Sequence, residues 1–256
     1  MLNFDYHTHT TYSHGTGSIL DNALAAKKAG LKGIAITDHG FSHLLFSMKR
    51  RNLDQMLKEC REAEKVTGLT VKLGIESNII GEEGVCDVKP KDYDKIEIFL
   101  AGMHRAVWYP TSEDLERVFI ENIVTDFTKI KPTKQLIDYN TKIYINAIKN
   151  NPIDILAHPL YGVFADAVEV AKCCADYGTY FEINTKKIHL TIEEWQKVID
   201  TKVNFVVDSD AHSPDRVGDL KLFYKQDEVI HFPRERIFNF DDKIPNLRYA
   251  EFKKRL

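Results

Sequence analysis

Seven of the ten histidines in this 256-residue chain fall at or just beyond the end of a short apolar run that reads as a β-strand. His7, His9 and, five residues on, His14 follow the first run; His39, preceded by Asp38, ends the second. Glu76 ends the third, His104 the fourth and His158 the fifth, and Asp210-Ala211-His212 follows the seventh. At average composition, roughly 20 positions of this kind would hold about one histidine by chance. Residues two apart on an extended chain project to the same side, so His7 and His9 can grip one ion and Asp210 and His212 can repeat that grip from across the barrel. Imidazole and carboxylate without thiolate suit zinc, manganese or iron, whereas magnesium and calcium prefer nearly all-oxygen shells. Seven histidines with Glu76 and Asp210 are too many ligands for one ion and suit two or three, with one carboxylate bridging.

Such a cluster has a preferred substrate. Three divalent ions held by two carboxylates leave a strongly cationic pit in a chain of net charge -3. That pit attracts phosphate and lowers the pKa of bound water toward ~7, giving a hydroxide for in-line attack at phosphorus. Asp38, beside His39, could orient a ligand imidazole, receive the leaving-group proton or simply cap a turn. Arg105, directly after His104, is placed for a bidentate contact with phosphate, and Lys186, Lys187 and Arg216 are further candidates. Lys49, Arg50 and Arg51 could follow a nucleic-acid backbone or form a solvated surface, and Trp108 and Tyr109 could stack on a base or pack their loop. His43, His189 and His231 fall outside the ligand set, with His189 expected on an exposed loop.

The elements that must position these residues alternate between β-rich runs and segments of helical period, the pattern of parallel βα units in an α/β protein. Seven strands are predicted: 4–6, 34–37, 71–75, 98–103, 153–157, 180–183 and 205–207. Helices are expected from Ser18 to Gly30, from Asn52 to Gly68, from Phe164 to Tyr177 with Gly178 as the stop, and over 191–202, where Thr191 and Glu194 form a capping box. Residues 80–95 carry turn signals in place of a helix, and 113–150 reads as two helices divided near Pro132. No repeat, linker or composition shift marks a boundary, so residues 1–256 are expected to form a single domain, closed as a barrel or barrel-like sheet.

Composition is that of an ordinary globule: 43% hydrophobic and 29% charged, with 13 Gly and 8 Pro. Cys60, Cys86, Cys173 and Cys174 show no CxxC spacing, which excludes a thiolate zinc site and a disulfide framework. No stretch approaches the ~18 apolar residues of a membrane span, and the N-terminus has no secretory character, so a cytoplasmic protein with no membrane partner is expected.

The strings DYHTHTTYSH, AITDHG, GIESN, AGMH, LAHP and SDAHSPDRVG resemble, in order, the motifs of the polymerase and histidinol phosphatase (PHP) superfamily, over His7 to Gly218. The resemblance implies a distorted seven-stranded (β/α)7 barrel of mostly parallel strands and a site for three divalent transition-metal ions. It assigns His7, His9, Glu76 and Asp210 to one ion, Glu76, His104 and His158 to a second, and His14, His39 and His212 to a third. The chain is most similar to the stand-alone phosphoesterase branch, which implies hydrolysis of a small phosphomonoester, histidinol phosphate-like or a nucleotide, by a metal-bound hydroxide. Two alternatives are a nuclease or phosphodiesterase acting on the ends of short oligonucleotides and an inactive, metal-stabilised binding module. Some superfamily members lose ligands, so a complete set favours activity. An amidohydrolase also opens with HxH and ends with Asp, but it needs a late bridging lysine or equivalent carboxylate, and no lysine stands at a predicted strand end.

Overall fold

In the computed structural model, which describes residues 1–256, every one of the seven apolar runs becomes a strand paired in parallel with the next, in the order β1 to β7. They are β1 (Phe4–Asp5), β2 (Gly33–Ile36), β3 (Thr70–Asn78), β4 (Ile98–Gly102), β5 (Ile155–Leu156), β6 (Tyr180–Asn184) and β7 (Phe205–Asp208). Parallel pairing requires a crossover between neighbours, supplied by α1 (Ile19–Lys28), α2 (Leu53–Thr67), α3 (Ser112–Asp114), α4 (Asn122–Thr128), α5 (Lys134–Asn150), α6 (Ala167–Tyr177) and α7 (Ile192–Asp200), and between β3 and β4 by a loop with one 3-10 turn, Pro90–Asp92. Two more, α8 (Lys221–Ile230) and α9 (Arg248–Lys253), follow the last strand and were not foreseen from the sequence.

The helix signals act where the chemistry allows. Ser18 and Thr191 form reciprocal capping boxes with Asp21 and Glu194, and Gly68 and Gly178 end α2 and α6 in the left-handed region, at φ 74° and 72°. Asn52 gives no side-chain cap, because a 3-10 turn over Arg50–Asn52 already leads into α2. The sixth helix starts at Ala167 rather than Phe164, since Asp166 accepts the N–H groups of Val168 and Glu169 while the Phe164 N–H donates to Asn122. The seventh stops at Asp200, two residues before Lys202, which has φ 64°. The 80–95 segment is a tight loop in which the Ile80 N–H donates to the Val85 carbonyl at 2.8 Å. The helices of 113–150 do divide before Lys134, and the stretch Leu115–Glu121 between α3 and α4 is π-helical.

The barrel closes imperfectly. Thr8 bridges Ala211 in parallel beyond the strand ends, but β1 and β7 do not pair directly. Asn239 fills the gap between them. Its Oδ1 accepts the Val207 N–H at 2.9 Å, and its Nδ2 donates to the carbonyls of Phe4 and Val207 at 2.9 and 2.8 Å, satisfying both strand edges.

Strand alternation sorts side chains into two cores. Ile34, Ile36, Leu73, Ile75, Phe99, Phe181 and Phe205 join the large cluster between sheet and helices. Tyr6, Ala35, Ile98, Leu100, Ile155, Tyr180 and Val206 form a smaller cluster inside the barrel, closed from below by Leu247. Two residues further along, the inward positions turn polar: Tyr180 is followed by Glu182, and Val206 by Asp208 and then Asp210. The four cysteines are free and buried, and no helix is long and apolar enough to cross a membrane.

Candidate metal centre

Glu76 stands at the centre of the C-terminal end of the barrel, fully buried on the inward face of β3. Its Oε1 lies 2.7 Å from His158 Nε2, 3.1 Å from His104 Nε2 and 3.5 Å from His7 Nε2. Its Oε2 lies 2.6 Å from His39 Nδ1 and 3.7 Å from His9 Nε2. Asp210 Oδ1 faces the same space, 3.4 Å from His9 Nε2, 3.9 Å from His7 Nε2 and 3.2 Å from His212 Nδ1. Ligand atoms come within 4.8 Å of one another in four sets: His7, His9 and Glu76; His7, His158 and Asp210; His39, Glu76 and His104; His9, His39 and His212. His14 lies outside these sets, its ring stacked on His39 at 5.0 Å and edge-on to His212 at 4.2 Å.

The donor atoms suit cations. Both Glu76 oxygens, His9 Nδ1, His14 Nδ1, His39 Nδ1 and His104 Nε2 are buried without a hydrogen bond, and each such orphan ordinarily costs about 1–3 kcal/mol. Orphans converging on one carboxylate are what a multinuclear cation site requires. Burial alone would raise the Glu76 carboxyl, but His104, His39 and His7 hold it well below the usual range. Burial lowers His14 to about 4 and His39 to about 3, so these rings present lone pairs at neutral pH. Burial also opposes charge on His7, yet Glu182, Glu76 and Asp210 outweigh it and raise its pKa. His158 and Asp210 adopt φ of 27° and 47°, backbone strain concentrated at the centre.

Two hydrogen-bond systems aim these rings. Glu182 Oε1 lies 2.6 Å from His7 Nδ1, which turns His7 Nε2 toward Glu76, and Glu182 Oε2 accepts the His158 N–H. Asp87, on the loop after β3, accepts the Ser42 N–H and Oγ–H at 2.7 and 2.8 Å, Ser77 Oγ–H at 2.7 Å, and the Asn78 N–H and Nδ2 at 3.1 and 2.6 Å. Asn78 Oδ1 then accepts from His104 Nδ1 at 2.8 Å. Gly40 permits this packing, since a Cβ there would lie 2.5 Å from Asp87 Oδ1. Sequence reasoning missed Glu182, Asp87 and Asn78. Only Glu182 left a signal, an acid inside the buried strand Tyr180–Asn184.

The residues expected to act on substrate fall differently. Asp38 reaches neither His39 nor the pocket: it accepts the Thr10 N–H at 2.8 Å, Thr10 Oγ–H at 2.6 Å and Ser13 Oγ–H at 2.5 Å, fixing the loop that carries His14. Burial pushes it up to about 6. Arg105 turns away to Asp126, with Nη1 3.3 Å from Oδ2, and lines a neighbouring cleft of about 220 Å³. Lys186 enters the pocket instead, its Nζ 3.2 Å from Asp210 Oδ1 and 2.7 Å from His212 Nδ1. It follows β6 by two residues, so a lysine does stand near a strand end. Lys187 lies over the Tyr161 ring at 4.1 Å, and Arg216 pairs with Asp219 at 2.9 Å.

Arg50 is held by Asp92 and the Asp87 carbonyl, while Lys49 and Arg51 are exposed. Trp108 is 73% exposed at the rim, and Tyr109 packs its loop by donating to the carbonyls of His104 and Arg105. His189 is half-buried rather than exposed, because its ring packs edge-on against Trp195 at 5.1 Å. His231 is exposed after α8, and His43 lines the pocket wall.

The pocket over this cluster encloses about 180 Å³. A larger cleft of about 560 Å³ at the opposite barrel end, beside Lys149, Arg248 and Arg255, contains no imidazole, so size does not mark the site.

Comparison with known proteins agrees with the geometry. The PHP domain family model matches residues 5–203. A protein named a probable phosphatase from Caldanaerobacter subterraneus subsp. tengcongensis is 30% identical over 253 residues, covering 93% of this chain and 87% of its own length. Another probable phosphatase, from Shewanella sp. (strain MR-4), is 27% identical over 250 residues, covering 92% of this chain and 86% of its own. The histidinol phosphate phosphatase from Lactococcus lactis subsp. lactis, solved with zinc, L-histidinol and phosphate, shares the fold: its TM-score is 0.60 over 96% of this chain and 97% of that one, at 14% identity. With a family match over most of its length and relatives aligned nearly end to end, the chain belongs to the PHP domain family.

Proposed function

We propose that this phosphoester hydrolase removes the phosphoryl group from a small phosphomonoester, such as histidinol phosphate or a nucleotide, with three divalent transition-metal ions as cofactors. The observation that carries this reading is the Glu76 carboxylate, buried and without a hydrogen bond among imidazoles on every side. His7, His9, Glu76 and Asp210 would hold one ion, Glu76, His104 and His158 a second, and His14, His39 and His212 a third. His39, 2.6 Å from Glu76 Oε2, stands between the second and third sets. When bound, such ions supply Lewis acidity and acidify coordinated water.

The protein's own groups do the rest. Glu182 and Asn78 accept the Nδ1–H of His7 and His104, keeping both Nε2 atoms directed inward for a cation to take. Lys186 supplies a positive charge at the wall, beside Asp210 and His212, able to attract a phosphoryl oxygen. Arg105, committed to Asp126, is not used.

A monoester is favoured over an oligonucleotide because the site is a pit of about 180 Å³ and Arg50, a candidate for strand binding, is engaged by Asp92. The test is to incubate the manganese- or zinc-loaded protein with a 5′-phosphorylated oligonucleotide and resolve the products. Inorganic phosphate with the chain intact is expected. Released mononucleotides would replace this reading with a phosphodiesterase.

A further inference from the structure

One pocket histidine has the opposite polarity from the others whose hydrogen bonds reveal it. His7 and His104 each direct Nδ1 at an oxygen acceptor: the Glu182 carboxylate at 2.6 Å and Asn78 Oδ1 at 2.8 Å. Their Nδ1 atoms carry protons, which turns their Nε2 atoms toward Glu76 as the positions a cation would take. His43 Nδ1 instead faces two donors, the backbone N–H groups of Leu45 at 3.3 Å and Phe46 at 3.2 Å. It must accept, so the proton resides on Nε2. That N–H has no hydrogen-bond partner in the protein, although His43 lines the pocket beside His39 and His104, with ring centroids 5.0 and 5.8 Å away.

An Nε2–H donor cannot bind a cation, but it can bind an oxyanion. We propose that His43 is a substrate-binding residue which donates Nε2–H to a non-bridging oxygen of the phosphoryl group held over the metal centre. This assignment rests on the phosphoesterase reading above. The donor is rigidly placed: the Leu44 N–H donates to the Ala106 carbonyl and the Trp108 N–H to the Ser42 carbonyl, both at 3.0 Å, while Asp87 holds Ser42. Two loops and a buried carboxylate therefore fix one N–H, the preorganisation that oxyanion binding rewards. The same polarity explains why a histidine so near the cluster is not one of its ligands.

Two substitutions separate the donor from the loop anchor. In His43→Asn the side-chain oxygen can take the place of Nδ1 and keep the Leu45 and Phe46 contacts, but nothing replaces Nε2–H. In His43→Gln the longer amide can return an N–H to the Nε2 position. The probes are inorganic phosphate as inhibitor and p-nitrophenyl phosphate as substrate, with metal content and Tm measured alongside. For His43→Asn the inhibition constant of phosphate is expected to rise about ten-fold or more at unchanged metal content and Tm, as the loss of a hydrogen bond to an anion implies. His43→Gln should recover much of that loss.

Unchanged phosphate inhibition in His43→Asn, a loss matched by lost metal, or equal losses in both variants would overturn the assignment. If the wild-type protein neither binds phosphate nor hydrolyses the ester, the functional reading falls and this assignment with it. Wild-type phosphate binding with an equally competent His43→Asn would overturn the assignment alone.

Discussion

Glu182 Oε1 and His7 Nδ1 meet at 2.6 Å inside the barrel, both fully buried, and the other oxygen of the same carboxylate holds the backbone N–H of His158. One acid thus orients residues from β1 and β5. Glu182→Gln should reduce metal affinity about 10- to 100-fold, the usual cost of removing such a partner. Metal retained after dialysis against a graded chelator, read by elemental analysis, checks this. Retention equal to wild type would show that His7 is oriented by packing alone.

Asp87 plays the corresponding part for His104, through Asn78, while also securing the loop after β2. Replacing it with Ala leaves several buried donors without an acceptor. The expected loss is roughly 2–4 kcal/mol, seen as a Tm lower by about 5 °C or more in a chain of this size. A Tm within about 1 °C of wild type would contradict it.

Asp154 makes stability depend on pH. Burial raises its carboxyl from 3.8 to about 7, although the N–H groups of Phe99 and Tyr249 favour the ionised form. The folded state therefore holds this proton more tightly than the unfolded chain. The resulting stabilisation is complete below 3.8 and is lost as pH rises through about 7. In Asp154→Asn the decline in stability between about pH 4 and about pH 7 should be shallower than in wild type. Denaturant unfolding across that range measures it, and parallel curves would refute the buried titration.

Arg105 and Lys186 exchange the importance that their sequence positions suggest. Because Arg105 pairs with Asp126 outside the pocket, Arg105→Ala should change kcat/KM by less than about three-fold. Lys186→Ala, which removes a charge beside Asp210 and His212, should lower it about ten-fold or more. The reverse order would return the phosphate contact to Arg105.

Much of this arrangement is legible in sequence because a parallel barrel writes itself simply. Strands buried on both faces appear as runs such as Gly33–Ile36 and Phe205–Asp208, and the ligating residue types stand at their ends. What escaped depends on contacts between distant segments. Asp87 looks like any loop acid until folding brings Ser42, Ser77 and Asn78 around it. Asn239 gains meaning only in the gap between β1 and β7. Asp38 and Arg105, adjacent to ligands in sequence, point elsewhere because neighbouring residues project in different directions and each found a nearer partner.

The central claim is a cation-dependent phosphomonoesterase built around Glu76. Its most direct test is to strip the protein with chelator, return zinc or manganese in measured increments, and follow phosphate release from a phosphomonoester at each step. Activity absent at the start, rising with added metal and saturating near three ions per chain is the expected result. Full turnover in the stripped protein, or saturation at a single ion, would contradict it.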